Sequence, residues 1–185
     1  MYNKLKGDFC MLETIMKRRS IRSYTGESIS DEELDIIIKA ANASPVGLGM
    51  FETMHLTVIK NKELLKEIED KAAKAFNKED YHPFYGAPML IVVSSKKPME
   101  RMENVVHSNA AGIVENMALA ATSLGIGCCH IWGATAALSR DEELLSKINI
   151  PEGFMVCCGI ILGKTDEVYE TRDVPMNKIS RNIIE

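Results

Sequence analysis

Apolar positions recur along this chain at two periods, and the switches between them lay out helices and strands in turn. Residues 9–19, from Phe9 to Arg19, set Met11, Leu12, Ile15 and Met16 on one helical face. Ser30 begins a second helix, with Glu33 three residues on as its capping-box partner. That helix turns Leu34, Ile37, Ile38 and Ala41 inward and stops before Pro45. Residues 43–50 read as a loop, because one proline and two glycines interrupt every period. A strand over His55–Ile59 and a charged helix from about Lys62 to Phe76 come next. Residues 77–86 carry Tyr81, Phe84 and Tyr85 without periodicity, as a loop or mobile lid would. Pro88–Ser94 is a near-continuous apolar run, the pattern of a strand buried on both faces. The longest helix is expected over about Ser108–Leu124, with Gly125 as its left-handed cap. A strand over Cys128–Trp132, a helix from Ser139 with Glu142 as capping partner, and a second buried strand over Phe154–Gly163 complete the pattern. Helices interleaved with strands in this way predict a layered α/β or α+β domain.

The long helix is unusual in composition. Ala110, Ala111, Gly112, Ala118, Ala120 and Ala121 leave little bulk, so a second helix can approach closely, and a subunit interface is expected there beside the plainer reading of a core helix. The last stretch, residues 164–185, holds no core-forming run and reads as a C-terminal extension that packs on a partner or stays free. A length of 185 residues suits one domain spanning 1–185, or one subunit of a dimer with a shared core.

Charge narrows the function. A net charge of −4 argues against general binding to nucleic acid or to a membrane surface. No apolar stretch is long enough for a membrane span, and Met1–Gly7 lacks a signal core, so a cytoplasmic location is expected. The five cysteines (Cys10 and the adjacent pairs Cys128–Cys129 and Cys157–Cys158) are odd in number and lack both disulfide-framework and zinc-knuckle spacing. Both pairs lie in apolar runs and read as small core residues. Neighbours on a strand face opposite ways, so one thiol of each pair is expected on each side. The histidines at 55, 82, 107 and 130 show no ligand spacing, and no metal site is expected. Walker A, dinucleotide-fingerprint and nucleophile-elbow motifs are missing.

Against this acidic background, Arg18-Arg19-Ser20-Ile21-Arg22 concentrates three guanidinium groups and a hydroxyl directly after the first helix. Arginine forks match phosphate oxygens by paired hydrogen bonds, each worth about 1.5–3 kcal/mol when charge-assisted. A solvated basic helix end is the simpler alternative. With no acid–base or metal motif beside a phosphate-type site, a cofactor is the expected carrier of the chemistry.

At this point the order of segments resembles the nitroreductase family of FMN-dependent oxidoreductases, from about Leu12 to about Pro175. The arginine run is similar to the family's N-terminal flavin-phosphate motif, and Ala43–Gly47 to its Ser-Pro-Ser loop. Ala110–Ala121 followed by Leu124-Gly125-Ile126-Gly127 resembles its long interface helix and the Leu-Gly-Leu-Gly turn. Ile150–Phe154 resembles the segment before the last core strand. The resemblance implies an α+β fold, a central mixed β-sheet flanked by helices, and an entwined homodimer with two FMN sites at the subunit interface. It also implies ping-pong electron transfer from NADH or NADPH to a nitroaromatic, quinone or similar small aromatic acceptor, with no side chain required as an essential acid or base.

Residue by residue, the resemblance assigns FMN contacts to Arg18, Arg19, Ser20 and Arg22, and to Pro45, Val46 and Gly47, the last three from the partner subunit. It assigns the flavin-ring stretch to Ile131, Trp132 and Gly133, and a closing phosphate contact to Arg172. Departures fall on the ring side: Gly49–His55 holds none of the family's Asn and Gln-Pro-Trp residues, Val46 replaces a serine, and Gly163-Lys164-Thr165 stands where Gly-Tyr-Pro is usual. The alternatives are a divergent member with another electron donor, such as a ferredoxin-like protein, and a non-catalytic binder of flavin or a phosphate ligand.

Overall fold

The computed structural model describes residues 10–98 and 102–185. Met1–Gly7 and Phe9, read above, lie outside them.

Helix α1 (Cys10–Lys17) leads to α2 (Asp31–Asn42). The expected capping box is present: Ser30 Oγ accepts from the Glu33 N–H at 3.2 Å, and Glu33 Oε2 accepts from the Ser30 N–H at 2.8 Å. The following loop tightens into two short 3-10 turns, Gly47–Gly49 and Phe51–Thr53. Then come β1 (Met54–Ile59), α3 (Lys62–Ala75), β2 (Met89–Lys96) and α4 (Glu103–Ser123). Helix α4 begins five residues before the expected Ser108, whose hydroxyl donates back to the Asn104 carbonyl at 2.7 Å and so sits inside the helix rather than capping it. At its other end Gly125 takes φ +70°, and the Ile126 N–H reaches the Ala121 carbonyl at 2.9 Å, as a left-handed cap requires.

After β3 (Gly127–Ile131) the sequence reading missed a helix, α5 (Gly133–Leu138). Its alanines carry helix on to Ser139, which ends α5 instead of starting α6 (Glu142–Lys147). The cap of α6 is Asp141, whose Oδ1 accepts from the Leu144 N–H at 3.0 Å. Strand β4 (Phe154–Gly163) closes the sheet.

The sheet order is β1-β2-β4-β3, and every pairing among the described residues is antiparallel. The expected mixed sheet is therefore corrected. Strands β2 and β3 run the same way, joined over α4, but β4 returns between them and opposes both. Residues 89–95 of β2 are all buried, as the continuous apolar run predicts.

Helices cover both faces of the sheet. On one side α2 and α4 bury Ile37, Ala41, Ile113, Met117, Ala118 and Ala121 against Met89, Ile91, Val93 and Ile160. On the other, α3, α5 and α6 bury Ile68, Ala72, Leu138 and Leu144 against Leu90, Val92 and Ile161. Ala110, Ala118 and Ala121 thus serve this chain's own core, with relative exposures of 1%, 0% and 0%. These three let the helix lie close on its own sheet, whereas Ala111 is exposed and Gly112 and Ala120 are half-buried.

The two cysteine pairs separate here. Cys128 faces the α4 side and Cys129 the α3 side, as strand alternation demands. Cys157 and Cys158 both pack on the α4 side, which corrects the expectation of one per face. Val93 pairs with Cys158 and Ser94 with Val156, so Cys157 is the extra residue of a β-bulge that reverses the alternation.

Candidate functional site

From the end of α1 the chain runs past the outer edge of β3, where the Ile21 N–H donates to the Cys128 carbonyl at 2.9 Å. Ile21 is fully buried and pins the strip, while Ser20 stays half-buried and Arg22 exposed. Arg18 Nε lies 3.3 Å from Glu115 Oε1 on α4. The second oxygen of that carboxylate lies 3.2 Å from His130 Nε2 on β3. The His130 hydrogen bond, helped by the Arg18 charge and opposed by partial burial, holds the Glu115 carboxyl below its ordinary range.

The residues after β4 close over this strip. Arg19 Nη2 donates to the Val168 carbonyl at 2.6 Å and lies 3.6 Å from Glu167 Oε2. Tyr169 donates its hydroxyl to the Ile126 carbonyl at 2.8 Å, and Arg172 donates from Nε to the Met16 carbonyl at 2.9 Å. Arg18, Arg19 and Arg172 are thereby gathered at the C-terminal end of α1. Arg19 Nε is buried with no partner among the described residues. The Ser20 hydroxyl makes no hydrogen bond among the described residues either.

The segment Ile131-Trp132-Gly133 leaves the same strand, two residues beyond Cys129. Ile131 is buried, whereas Trp132 is 72% exposed and so is no core aromatic. Phe76 and Tyr81 stand edge-on to each other beside Gly133, with ring centroids 5.5 Å apart. Arg22 reaches across from the arginine strip, its guanidinium 5.9 Å from the Tyr85 ring centroid. The arginine strip and the Ile131–Gly133 stretch both adjoin β3, the strip through the Ile21–Cys128 bond and the stretch as the strand's continuation.

Pro45, Val46 and Gly47 do not join them in this chain. Val46 is buried against α4, which accounts for an apolar side chain there, and the Gly47 N–H donates to Asn109 Oδ1 at 3.0 Å. A methyl group on Gly47 would stand 2.9 Å from Val105 Cγ1, so glycine lets the loop lie flat on the helix. Asn109 and Glu115 are six residues apart, which puts them about 9 Å apart along α4 and about 120° around it.

Guanidinium and hydroxyl donors are the groups that hold a phosphate dianion, and this strip carries both. Thiol chemistry is disfavoured. Burial pushes Cys157 up to about 11 and Cys158 up to about 12, and raises Cys128 as well, so thiolates are scarce near neutrality. Glu115, His130, Asn109 and Tyr81 escaped the sequence reading, because each is placed by a contact between distant elements and no local spacing marks it.

The model of the nitroreductase family matches residues 15–164. The chain belongs to that family. A provisional NADH dehydrogenase/NAD(P)H nitroreductase of Archaeoglobus fulgidus is 33% identical over 166 residues, covering 88% of this chain and 91% of its own. Among solved structures, a nitroreductase with bound FMN from Bacteroides fragilis superposes with a TM-score of 0.79 at 31% identity, over 95% of this chain and 98% of the other. A second one with bound FMN, from Desulfitobacterium hafniense, also gives 0.79, at 29% identity over 94% and 98%. The nitroreductase fold thus extends over both the arginine strip and the Ile131–Gly133 stretch. No helix among the described residues is long and apolar enough to cross a membrane.

Proposed function

We propose that this nitroreductase-family chain is an FMN-dependent oxidoreductase that passes electrons from NADH or NADPH to a nitroaromatic, quinone or similar acceptor. The observation that carries the reading is the gathering of Arg18, Arg19 and Arg172 at the end of α1, with Arg19 Nε buried and without a partner among the described residues, on a strip bonded to β3, the strand that leads into the exposed Trp132. Relatives named FMN reductase (NADPH) and NADPH-flavin oxidoreductase support it, as do the two structural neighbours with bound FMN.

The residues suit the cofactor. Arg18, Ser20 and Arg172 hold the phosphate, and Arg19 braces them by fastening the residues after β4. Arg22 would meet the ring, and the backbone of Ile131, Trp132 and Gly133 would run along it. Bound FMN supplies the two-electron chemistry. The protein would bind and orient the flavin, the nicotinamide and the acceptor would be served in turn, and protons would come from water, so no side chain would be needed as an essential acid or base.

Two copies complete the site in this reading. Within one chain Pro45–Gly47 approaches α4 on a different face from Arg18, so the loop serves the flavin of a partner subunit. Exposed apolar side chains support a homodimer: Met11 and Ile15 on α1, and Met176, Ile179 and Ile183 after β4.

The test is direct. Purified protein is expected to be yellow, to release FMN on denaturation, to bleach anaerobically with NADH or NADPH, and to recover colour with a quinone. Light scattering should give twice the chain mass. Protein that stays colourless in excess FMN overturns the reading and leaves a phosphate-ligand binder. Bound FMN that neither nicotinamide bleaches points to another electron donor.

A further inference from the structure

The ledge between α3 and β2 is anchored to α3 at Phe84. Phe84 is 1% exposed, and its N–H donates to Glu69 Oε1 at 2.8 Å. Asn77 and Tyr85 turn the chain at φ +50° and +51°. Tyr81 is carried on this ledge against Phe76, and its hydroxyl stands 2.9 Å from where a Cβ on Gly133 would lie. Glycine at 133 is what lets the phenol approach the backbone there. That hydroxyl makes no hydrogen bond among the described residues. It is open to solvent rather than sealed in, so it is available to a ligand. Burial, and then the neighbouring Tyr85, raise the phenol above its ordinary value, so it stays a donor across the neutral range. Apart from Arg22, the residues otherwise assigned to the ring side (Pro45, Val46, Gly47, Ile131, Trp132 and Gly133) include no hydroxyl, carboxyl or amide side chain.

We propose that Tyr81 is a cofactor-contacting residue whose phenolic O–H donates to a heteroatom on the edge of the flavin ring beside Gly133. The inference rests on the flavin reading above and assigns a ring contact to the α3–β2 ledge. A donor at the ring edge favours the more electron-rich reduced flavin, so Tyr81 also raises the reduction potential.

Tyr81→Phe keeps the ring and its packing on Phe76 and removes only the donor. In the holoprotein, three quantities decide: the FMN dissociation constant, the absorption bands of bound oxidised flavin, and the reduction potential read against a dye. Expected are FMN binding weaker by about two- to tenfold, the range of a lost neutral hydrogen bond, displaced bands, and a more negative potential. Gly133→Ala, which crowds the phenol, should move bands and potential the same way, and adding Tyr81→Phe to it should move them little further. Unchanged affinity, spectrum and potential in Tyr81→Phe, with the parent binding FMN, overturn this inference alone. A parent protein that takes up no FMN overturns both it and the flavin reading.

Discussion

The two ends of the candidate site are built on opposite principles. At the arginine end, charge is plentiful and shared: Arg18 divides Glu115 with His130, and Arg19 answers Glu167 and the Val168 carbonyl. At the ring end, Arg22 over Tyr85 is the cation, Phe76 and Tyr81 stand beside Gly133, and Trp132 leaves its aromatic surface exposed. The difference teaches where binding and selectivity reside. A phosphate is held by charge and needs donors fixed in advance, whereas a planar ring or acceptor needs area, rigidity and a few directional contacts.

The sharpest way to break the contrast is Arg18→Ala. A charge-assisted contact to phosphate is worth about 1.5–3 kcal/mol, so FMN should bind about ten- to a hundredfold more weakly, by fluorescence titration, with the spectrum of bound flavin unchanged. Ala118→Leu should instead weaken both ends together. Ala118 is fully buried where α4 meets β3, so the added bulk should cost about 1–3 kcal/mol of protomer stability in denaturant titration. Loss of the dimer with the protomer intact would contradict the core placement. Trp132→Ala is the ring-end counterpart: an aromatic acceptor should show KM raised several-fold in steady-state assays, while the FMN dissociation constant barely moves.

The smallest effect concerns the strands beneath both ends. Burial keeps the Cys158 thiol protonated to about 12, against an ordinary 9.0 in the unfolded chain. The unfolded chain therefore releases this proton first as pH rises. The thiol's contribution is complete below about 9 and is lost between there and about 12. Denaturant titrations across that window should show stability falling with pH, with a shallower fall in Cys158→Ala.

Much of the frame was legible, because it follows from local rules. The Ser30–Glu33 box, the Gly125 cap and the buried run of β2 each rest on neighbours in sequence, and each stands where the pattern puts it. Errors came where a residue has two competing local uses. Ser108 and Ser139 both look like caps, yet each hydroxyl bonds back to a carbonyl of the preceding turn. The bulge at Cys157 was invisible because it arises from register against β2, a relation between strands. At the site, the arginine run announced itself by composition, and Trp132 by its neighbours. Glu115 and Tyr81 did not, since a carboxylate on a long helix and a tyrosine in an aperiodic loop take their meaning from whatever the fold brings opposite them.

The fastening of the arginine strip also has a consequence for timing. Arg19 closes on Val168 across 149 residues, and Arg172 on Met16 across 156. On a ribosome adding about 5–20 residues per second, the strip emerges roughly seven to thirty seconds before the segment that braces it. Through that interval the strip is a basic stretch beside a growing core, without its Glu167 and Val168 contacts. In the flavin reading, capture of the phosphate waits until that bracing segment has emerged.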